Sequence, residues 1–162
     1  MIKNYINNIL NSIEDYKREI RDLSELNENG KYIIPICVDF DGTCVINNYA
    51  FIGKDNKYCV EVLQKWVNNY NVGIVLDTMR DGKLLYDAVN WFKERNIPLY
   101  GINSHPNQHL WKDTSNKSYG IFSVDDRNLF QPLIFDKESN RARVDWKLTD
   151  EIMTPILEKL NE

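Results

Sequence analysis

Short apolar runs alternate with amphipathic segments along most of the chain, and this alternation constrains the fold more than any other feature. Each run has the length and apolar character of a buried strand, and the segments between them have the three- and four-residue spacing of helices. The runs are YIIPICVD (32–39), VGIVLD (72–77), IPLYGIN (97–103) and YGIFSVDD (119–126). This alternation is typical of a mostly parallel sheet with helices on both faces. We therefore predict an α/β protein with a three-layer, Rossmann-like fold.

The first 30 residues stand apart from this alternation. From Ile2 to Leu26, apolar residues recur at three- and four-residue steps, which predicts one amphipathic helix that ends near Gly30. We interpret residues 1–30 as a helical extension and residues 31–162 as the main domain. The apolar face of the extension is expected to pack on the core or on a second copy of the chain, so it is a candidate surface for a homo-oligomer.

Composition and charge exclude several classes of protein. The chain has 162 residues and a formal net charge of −4, which gives no general attraction to nucleic acid or to an anionic membrane. No apolar run approaches the length of a membrane span, and the charged, Asn-rich N-terminal segment is unlike a secretory signal. The three cysteines form no CxxC pair, which is typical of a reduced protein. We therefore expect a cytoplasmic location and no membrane partner.

Acidic and hydroxyl side chains lie where the predicted strands end. Asp39 and Asp41 come at the end of the first run, Thr78 follows the second, and Asp125 and Asp126 end the last. Because ligands of parallel α/β sheets bind at the carboxyl ends of the strands, we expect these side chains to converge on one site. Several carboxylates in one place need a cation, and oxygen-rich sites suit Mg²⁺. The sequence therefore predicts a Mg²⁺ site at this edge of the sheet.

A second possible set of metal ligands is weaker. His105 and His109 in HPNQH have a spacing that could hold a metal on a helix. Pro106 and the polar composition favour a surface loop instead. We therefore predict no metal site there.

Four short motifs follow one another in a defined order. They are VDFDGT (38–43), LDTMR (76–80), Lys117 in NKSYGIFSVDD (116–126) and VDDRN (124–128). Together they resemble the motifs of the haloacid dehalogenase (HAD) superfamily of phosphohydrolases, and the chain looks like a small, nearly capless group of bacterial and phage members. The resemblance covers roughly residues 31–160. It implies that the main domain is an HAD-like catalytic domain with a minimal cap.

The resemblance implies a role for each acidic residue. Asp39 would be the nucleophile that attacks phosphorus and forms an aspartyl-phosphate. Asp41 would protonate the leaving oxygen and later activate water. Like-charge repulsion is expected to raise one pKa of this pair and so to help Asp41 hold a proton, while Mg²⁺ beside Asp39 would keep that group ionised. Mg²⁺ would be held by Asp39, the backbone carbonyl of Asp41 and Asp125, with Asp126 bound directly or through water. Gly42 would let the backbone turn closely around the phosphate.

The resemblance also implies which side chains bind phosphate. Thr78 would donate its hydroxyl to a phosphate oxygen. Lys117 would neutralise the phosphoryl charge and the Asp39 carboxylate, with Lys112 as the alternative motif lysine. Arg80 joins these candidates because a guanidinium group matches phosphate oxygens well.

These roles predict a Mg²⁺-dependent phosphatase that hydrolyses a small phosphate monoester. The segment from residue 44 to residue 57 is too short for a cap domain, so Tyr49 and Phe51 are expected to border the pocket and to influence substrate choice. Two alternatives remain open. A phosphotransferase would use the same first step on the same fold. A catalytically silent relative would bind a phosphorylated ligand or a partner, with no need for the acid Asp41.

Overall fold

The computed structural model describes residues 1–111 and 115–162. Its central sheet is parallel and contains β1 (Ile34–Val38), β2 (Val72–Leu76), β3 (Leu99–Ile102) and β4 (Phe122–Val124). These strands lie side by side in the order β3-β2-β1-β4, and β1 pairs with both β2 and β4. Every residue of β1 and β2 is buried, which explains why their sequences are apolar without alternation. The predicted α/β fold is confirmed.

Helices flank this sheet and complete the core. They are α1 (Ile2–Asn11), α2 (Ile13–Leu23), α3 (Cys59–Tyr70), α4 (Gly82–Glu94), α5 (Gln108–Trp111) and α6 (Trp146–Asn161). In the core, Phe40 packs edge-on against Trp91 of α4, with 5.6 Å between ring centroids. Apolar packing therefore extends to the end of β1, where the acidic residues begin. Among the described residues, no helix combines the length and hydropathy needed to cross a membrane.

The N-terminal segment forms two helices where one was predicted. Ser12 separates α1 from α2: its N–H donates to the Ile9 carbonyl, and its own carbonyl accepts from the Asp15 N–H. Ile13 and Ile20 are buried in the common core, and both helices contact α6. The prediction of one continuous helix is therefore wrong. The apolar face of this segment packs on the core of its own chain.

An antiparallel hairpin lies outside the central sheet. It consists of β5 (Leu133–Asp136) and β6 (Arg141–Val144), and it leads directly into α6. The Val144 N–H donates to the Gly42 carbonyl over 3.0 Å, and the Trp146 indole N–H donates to the Thr43 carbonyl over 2.8 Å. The hairpin and the start of α6 therefore support the turn that follows β1.

The cysteines belong to the core. Cys37, Cys44 and Cys59 are buried and free of disulfides. Burial, together with the nearby charge of Asp77, raises the pKa of the Cys37 thiol to about 12. A thiol that holds its proton this strongly is a poor nucleophile, which agrees with a packing role.

The prediction that residues 105–109 form a surface loop is wrong for His105, which is buried. His105 is 1% exposed and packs against the rings of Tyr100, Trp111 and Tyr119. Its Nδ1 accepts a hydrogen bond from the Asn107 N–H. His105 is therefore part of a buried aromatic cluster. The polar residues around it in the sequence favoured a surface loop, and they gave no sign that three aromatic rings would bury the imidazole.

Candidate active site

The ends of β1, β2 and β4 meet at one edge of the sheet. The Asp39 N–H donates to the carbonyl of Val124, the last residue of β4, over 3.0 Å. On the other side, the Asp77 N–H donates to the carbonyl of Val38, the last residue of β1, over 2.9 Å. Because the parallel register continues to these last residues, the polar side chains that follow the strands emerge at the same edge.

Three carboxylates form a cluster at this edge. One oxygen from each of Asp39, Asp125 and Asp126 lies within 4.8 Å of the other two, and all three residues are partly buried. Burial, followed by the neighbouring Asp125 charge, raises the pKa of Asp39 to about 7. The same two causes raise the pKa of Asp126. A cation among these groups would relieve the cost of placing their charges together.

Gly42 and Thr43 hold this cluster together. Gly42 has a φ of +81°, and a Cβ at this position would lie 2.5 Å from Oδ2 of Asp126. The buried Thr43 hydroxyl donates to Asp39 Oδ2 over 3.0 Å and accepts from the Asp126 N–H over 3.1 Å. One hydroxyl therefore joins the residue after β1 to the residues after β4. The contact predicted between Gly42 and phosphate stays a prediction.

The carboxylate of Asp41 lies outside this cluster because it binds Arg80. The guanidinium donates from Nε to Oδ2 over 2.6 Å and from Nη2 to Oδ1 over 2.7 Å. The Arg80 side chain is 1% exposed and that of Asp41 is 18% exposed. Asp39 thus faces other carboxylates whereas Asp41 faces a cation. The pKa of Asp39 is raised by burial and by the Asp125 charge, so the predicted cause, repulsion between Asp39 and Asp41, is not the one found. The metal contact predicted for the Asp41 carbonyl stays a prediction.

Arg80 also contacts the loop that borders the site. It donates to the carbonyls of Ala50 and Phe51 over 3.3 and 2.9 Å. The rings of Tyr49 and Phe51 on this loop are exposed, at 62% and 76%. The guanidinium of Arg80 is therefore engaged with protein groups, and its predicted role in phosphate binding stays a prediction.

Thr78 lies half-buried at the end of β2. Its N–H donates to Oδ1 of Asn103 over 2.8 Å, and its Oγ1 accepts from the Arg80 N–H over 3.2 Å. In these contacts the hydroxyl is only an acceptor, so its proton can still be donated to a phosphate oxygen. Asn103 was not predicted as a site residue, although it is the last residue of the third predicted run, and a polar residue at a strand end is the signal that pointed to the others.

Lys117 is exposed, and its backbone is anchored close to the strand ends. Its carbonyl accepts from Nε2 of Gln108 over 2.8 Å, and the next residue, Ser118, donates to Oδ1 of Asp77 over 2.9 Å. Among the described residues, the Lys117 ammonium forms no ion pair with a carboxylate. Lys112, the alternative motif lysine, lies outside the described residues. Gln108 and Ser118 were not predicted, because their contacts depend on the tertiary fold.

The donor set of the cluster fits a hard divalent cation. It consists of carboxylate oxygens, which suit Mg²⁺. Adjacent ligands of an octahedral Mg²⁺ are about 3 Å apart and opposite ligands are about 4.2 Å apart. Three oxygens that lie within 4.8 Å of one another would therefore have to move inward by up to about 2 Å to share one ion. Asp39, Asp125 and Asp126 are therefore the residues that could hold Mg²⁺.

The fold is similar to that of a solved protein from Bacteroides thetaiotaomicron that is named only as a conserved protein coded by a locus. The two chains are 29% identical, the match covers 76% of this chain and 91% of the other, and the TM-score is 0.61. The relative's name mentions no activity and no ligand. No family model matches the chain, and no curated protein matches it. The likeness supports the α/β fold.

Proposed function

We propose that the protein is a Mg²⁺-dependent phosphohydrolase that cleaves a phosphate monoester through an aspartyl-phosphate on Asp39. One observation carries this proposal: Asp39 lies in the carboxylate cluster, whereas Asp41, two residues later, binds Arg80 outside it. A nucleophile beside a metal and a separate acid/base require this division of roles. The order of motifs that resembles the HAD superfamily supports the same assignment.

The cluster suits a phosphoryl group together with its cation. When bound to Asp39, Asp125 and Asp126, Mg²⁺ would neutralise carboxylate charge and withdraw charge from the phosphoryl oxygens. The Thr78 hydroxyl would donate to one of those oxygens. Lys117, whose side chain is exposed and free to extend, would neutralise another.

In the first step, an oxygen of the Asp39 carboxylate attacks phosphorus opposite the ester oxygen. A bond forms between that carboxylate oxygen and phosphorus, and the bond from phosphorus to the ester oxygen breaks. Asp41 gives a proton to the departing oxygen, so the product leaves as an alcohol. The proton is carried on the side of an Asp41 oxygen that faces away from Arg80, so both contacts with the guanidinium are kept.

In the second step, water attacks the phosphorus of the aspartyl-phosphate. Asp41, now a carboxylate, takes a proton from the water as the new oxygen–phosphorus bond forms. The bond between phosphorus and the Asp39 oxygen breaks, inorganic phosphate leaves, and Asp39 returns to its carboxylate form. The same residue thus acts as acid and then as base.

The test is phosphate release from a panel of phosphate monoesters by wild type and Asp39→Asn, each with Mg²⁺ and with a chelator. We expect activity with Mg²⁺ that the chelator removes, and a loss of at least about a thousandfold in the variant. Asp22→Asn changes an exposed carboxylate on α2 and is the matched control that should keep wild-type activity. Activity that survives both the Asp39 substitution and the chelator would contradict the proposal. Adding an acceptor alcohol distinguishes transfer from hydrolysis.

A further inference from the structure

Arg80 connects the proposed general acid to the loop that borders the site. We propose that Arg80 is a positioning residue, which orients the Asp41 carboxylate toward the leaving oxygen and couples that orientation to the loop at residues 49–51. This inference rests on the proposed function. It assigns to Arg80 a role that differs from direct phosphate binding.

The contact between Arg80 and Asp41 fixes the carboxylate in two ways. Both carboxylate oxygens accept from the guanidinium, over 2.6 and 2.7 Å, so the plane of the carboxylate and its distance from Arg80 are set together. Arg80 itself has little freedom, because its side chain is 1% exposed. The two N–H donors of the buried Arg80 side chain therefore hold the Asp41 carboxylate in one orientation.

The same guanidinium holds the bordering loop. It donates to the Ala50 and Phe51 carbonyls, and its central carbon lies 5.3 Å from the centre of the Tyr49 ring and 5.2 Å from that of Phe40. A buried cation is stable only with such compensation, so Arg80 cannot shift toward one partner without weakening its bonds to the other. The loop and the Asp41 carboxylate are therefore expected to move together.

This arrangement predicts a dependence on the leaving group. An alkoxide is a poor leaving group and needs the proton from Asp41, whereas a nitrophenolate departs without it. Loss of Arg80 should therefore slow the cleavage of alkyl phosphates far more than the cleavage of p-nitrophenyl phosphate. A residue that only supported the fold would lower both rates by the same factor.

The experiment compares wild type, Arg80→Gln and Arg80→Lys, with Arg95→Gln as a matched control. Arg95 also makes a bidentate contact with a carboxylate, that of Asp55, and lies over the ring of Trp91, but it is remote from the carboxylate cluster in its contacts. For each protein, kcat/KM is measured on p-nitrophenyl phosphate and on a simple alkyl phosphate. Amide hydrogen exchange at residues 48–52 is followed separately without substrate.

In both Arg80 variants we expect the alkyl-to-aryl ratio of kcat/KM to fall at least about tenfold, since general acid catalysis contributes about 10²–10⁴. Arg80→Lys keeps the positive charge but cannot donate to both Asp41 oxygens from one planar group, so it tests the inference even if Arg80→Gln folds poorly. Exchange at 48–52 should be faster in both variants and unchanged in Arg95→Gln. An active wild type with an unchanged ratio in Arg80→Lys overturns the inference alone. A wild type inactive on both esters overturns the proposed function and the inference with it.

Discussion

Gly42 lies so close to Asp126 that a methyl group on its Cα would be 2.5 Å from the carboxylate oxygen Oδ2. Its φ of +81° also lies in the left-handed region that favours glycine. Gly42→Ala should therefore displace Asp126 as well as strain the backbone. We expect the variant to lose most Mg²⁺-dependent activity and to need a higher Mg²⁺ concentration, measured by phosphate release across a Mg²⁺ titration.

Gly30→Ala separates these two effects. Gly30 has a φ of +70°, and a Cβ there would have no atom within 4 Å. Both alanine variants should lose about 1–2 kcal/mol of unfolding free energy through backbone strain. Only the variant at Gly42 should change the Mg²⁺ dependence. An equal Mg²⁺ response in the two variants would show that the contact with Asp126 has no role in metal binding.

The hydroxyl of Thr43 is expected to matter more than its size. Thr43→Val keeps the shape of the side chain but removes the bonds to the Asp39 carboxylate and the Asp126 N–H. We expect a loss of about 1–3 kcal/mol in unfolding free energy and weaker Mg²⁺ binding. Thr154→Val, which removes a hydroxyl contact to Asp150, is the control. Calorimetric titration with Mg²⁺ measures the difference, and identical affinities in both variants would refute the bridging role.

The carboxylate cluster should make the metal-free protein less stable as the pH rises. The pKa of Asp39 is raised to about 7 in the folded protein from an ordinary value of 3.8, so the folded state holds this proton more tightly than the unfolded chain. This contribution to stability is complete below about pH 4 and is lost as the pH rises through about 7, with an upper limit of about 4 kcal/mol. The pKa of Asp126 is also raised, and its contribution has the same sign.

Denaturant unfolding with a chelator, at about pH 5 and about pH 8, tests this expectation. Wild type should be the less stable at the higher pH, and Mg²⁺ should restore the loss. Asp39→Asn should reduce the difference between the two pH values, because the amide does not ionise. An undiminished difference in that variant would assign the pH dependence to other groups.

Tyr49 and Phe51 are expected to influence which ester is cleaved. Their rings are 62% and 76% exposed beside the Arg80 contact. Replacing both by Ala should change the relative kcat/KM among esters of different size by several-fold, with no change in Mg²⁺ dependence. Tyr5→Ala, on α1 and 50% exposed, controls for the loss of a surface ring. If the double variant ranks the esters as wild type does, these rings do not contact substrate.

The sequence was sufficient to predict the sheet and its acidic edge. β1 and β2 are buried on both faces, so their apolar runs are continuous and the first polar residue marks the strand end. Parallel pairing of β1 with β4 then brings Asp39 and Asp125 to the same edge. These conclusions need only local patterns and the rule for parallel sheets.

Other features depend on contacts that no local pattern encodes. The partner of Asp41 is a buried arginine from the segment after β2, and a charged residue in a sequence is ordinarily expected at the surface. The break at Ser12 interrupts an amphipathic pattern that continues on both sides of it. β6 contains Arg141 and Arg143 and therefore has no apolar run that would mark it as a strand in the sequence. It is a strand because it pairs with β5.

The central claim is that Asp39 becomes phosphorylated, and the most direct measurement is mass spectrometry of acid-quenched reactions with a phosphate ester and Mg²⁺. We predict a mass increase of one phosphoryl group, located on the peptide that contains Asp39. With p-nitrophenyl phosphate, whose leaving group needs no proton, the adduct should accumulate in Asp41→Asn, where water is not activated, and should be absent in Asp39→Asn. Rapid phosphate release with no phosphoryl group on Asp39 at any quench time, in wild type or in Asp41→Asn, would contradict the mechanism.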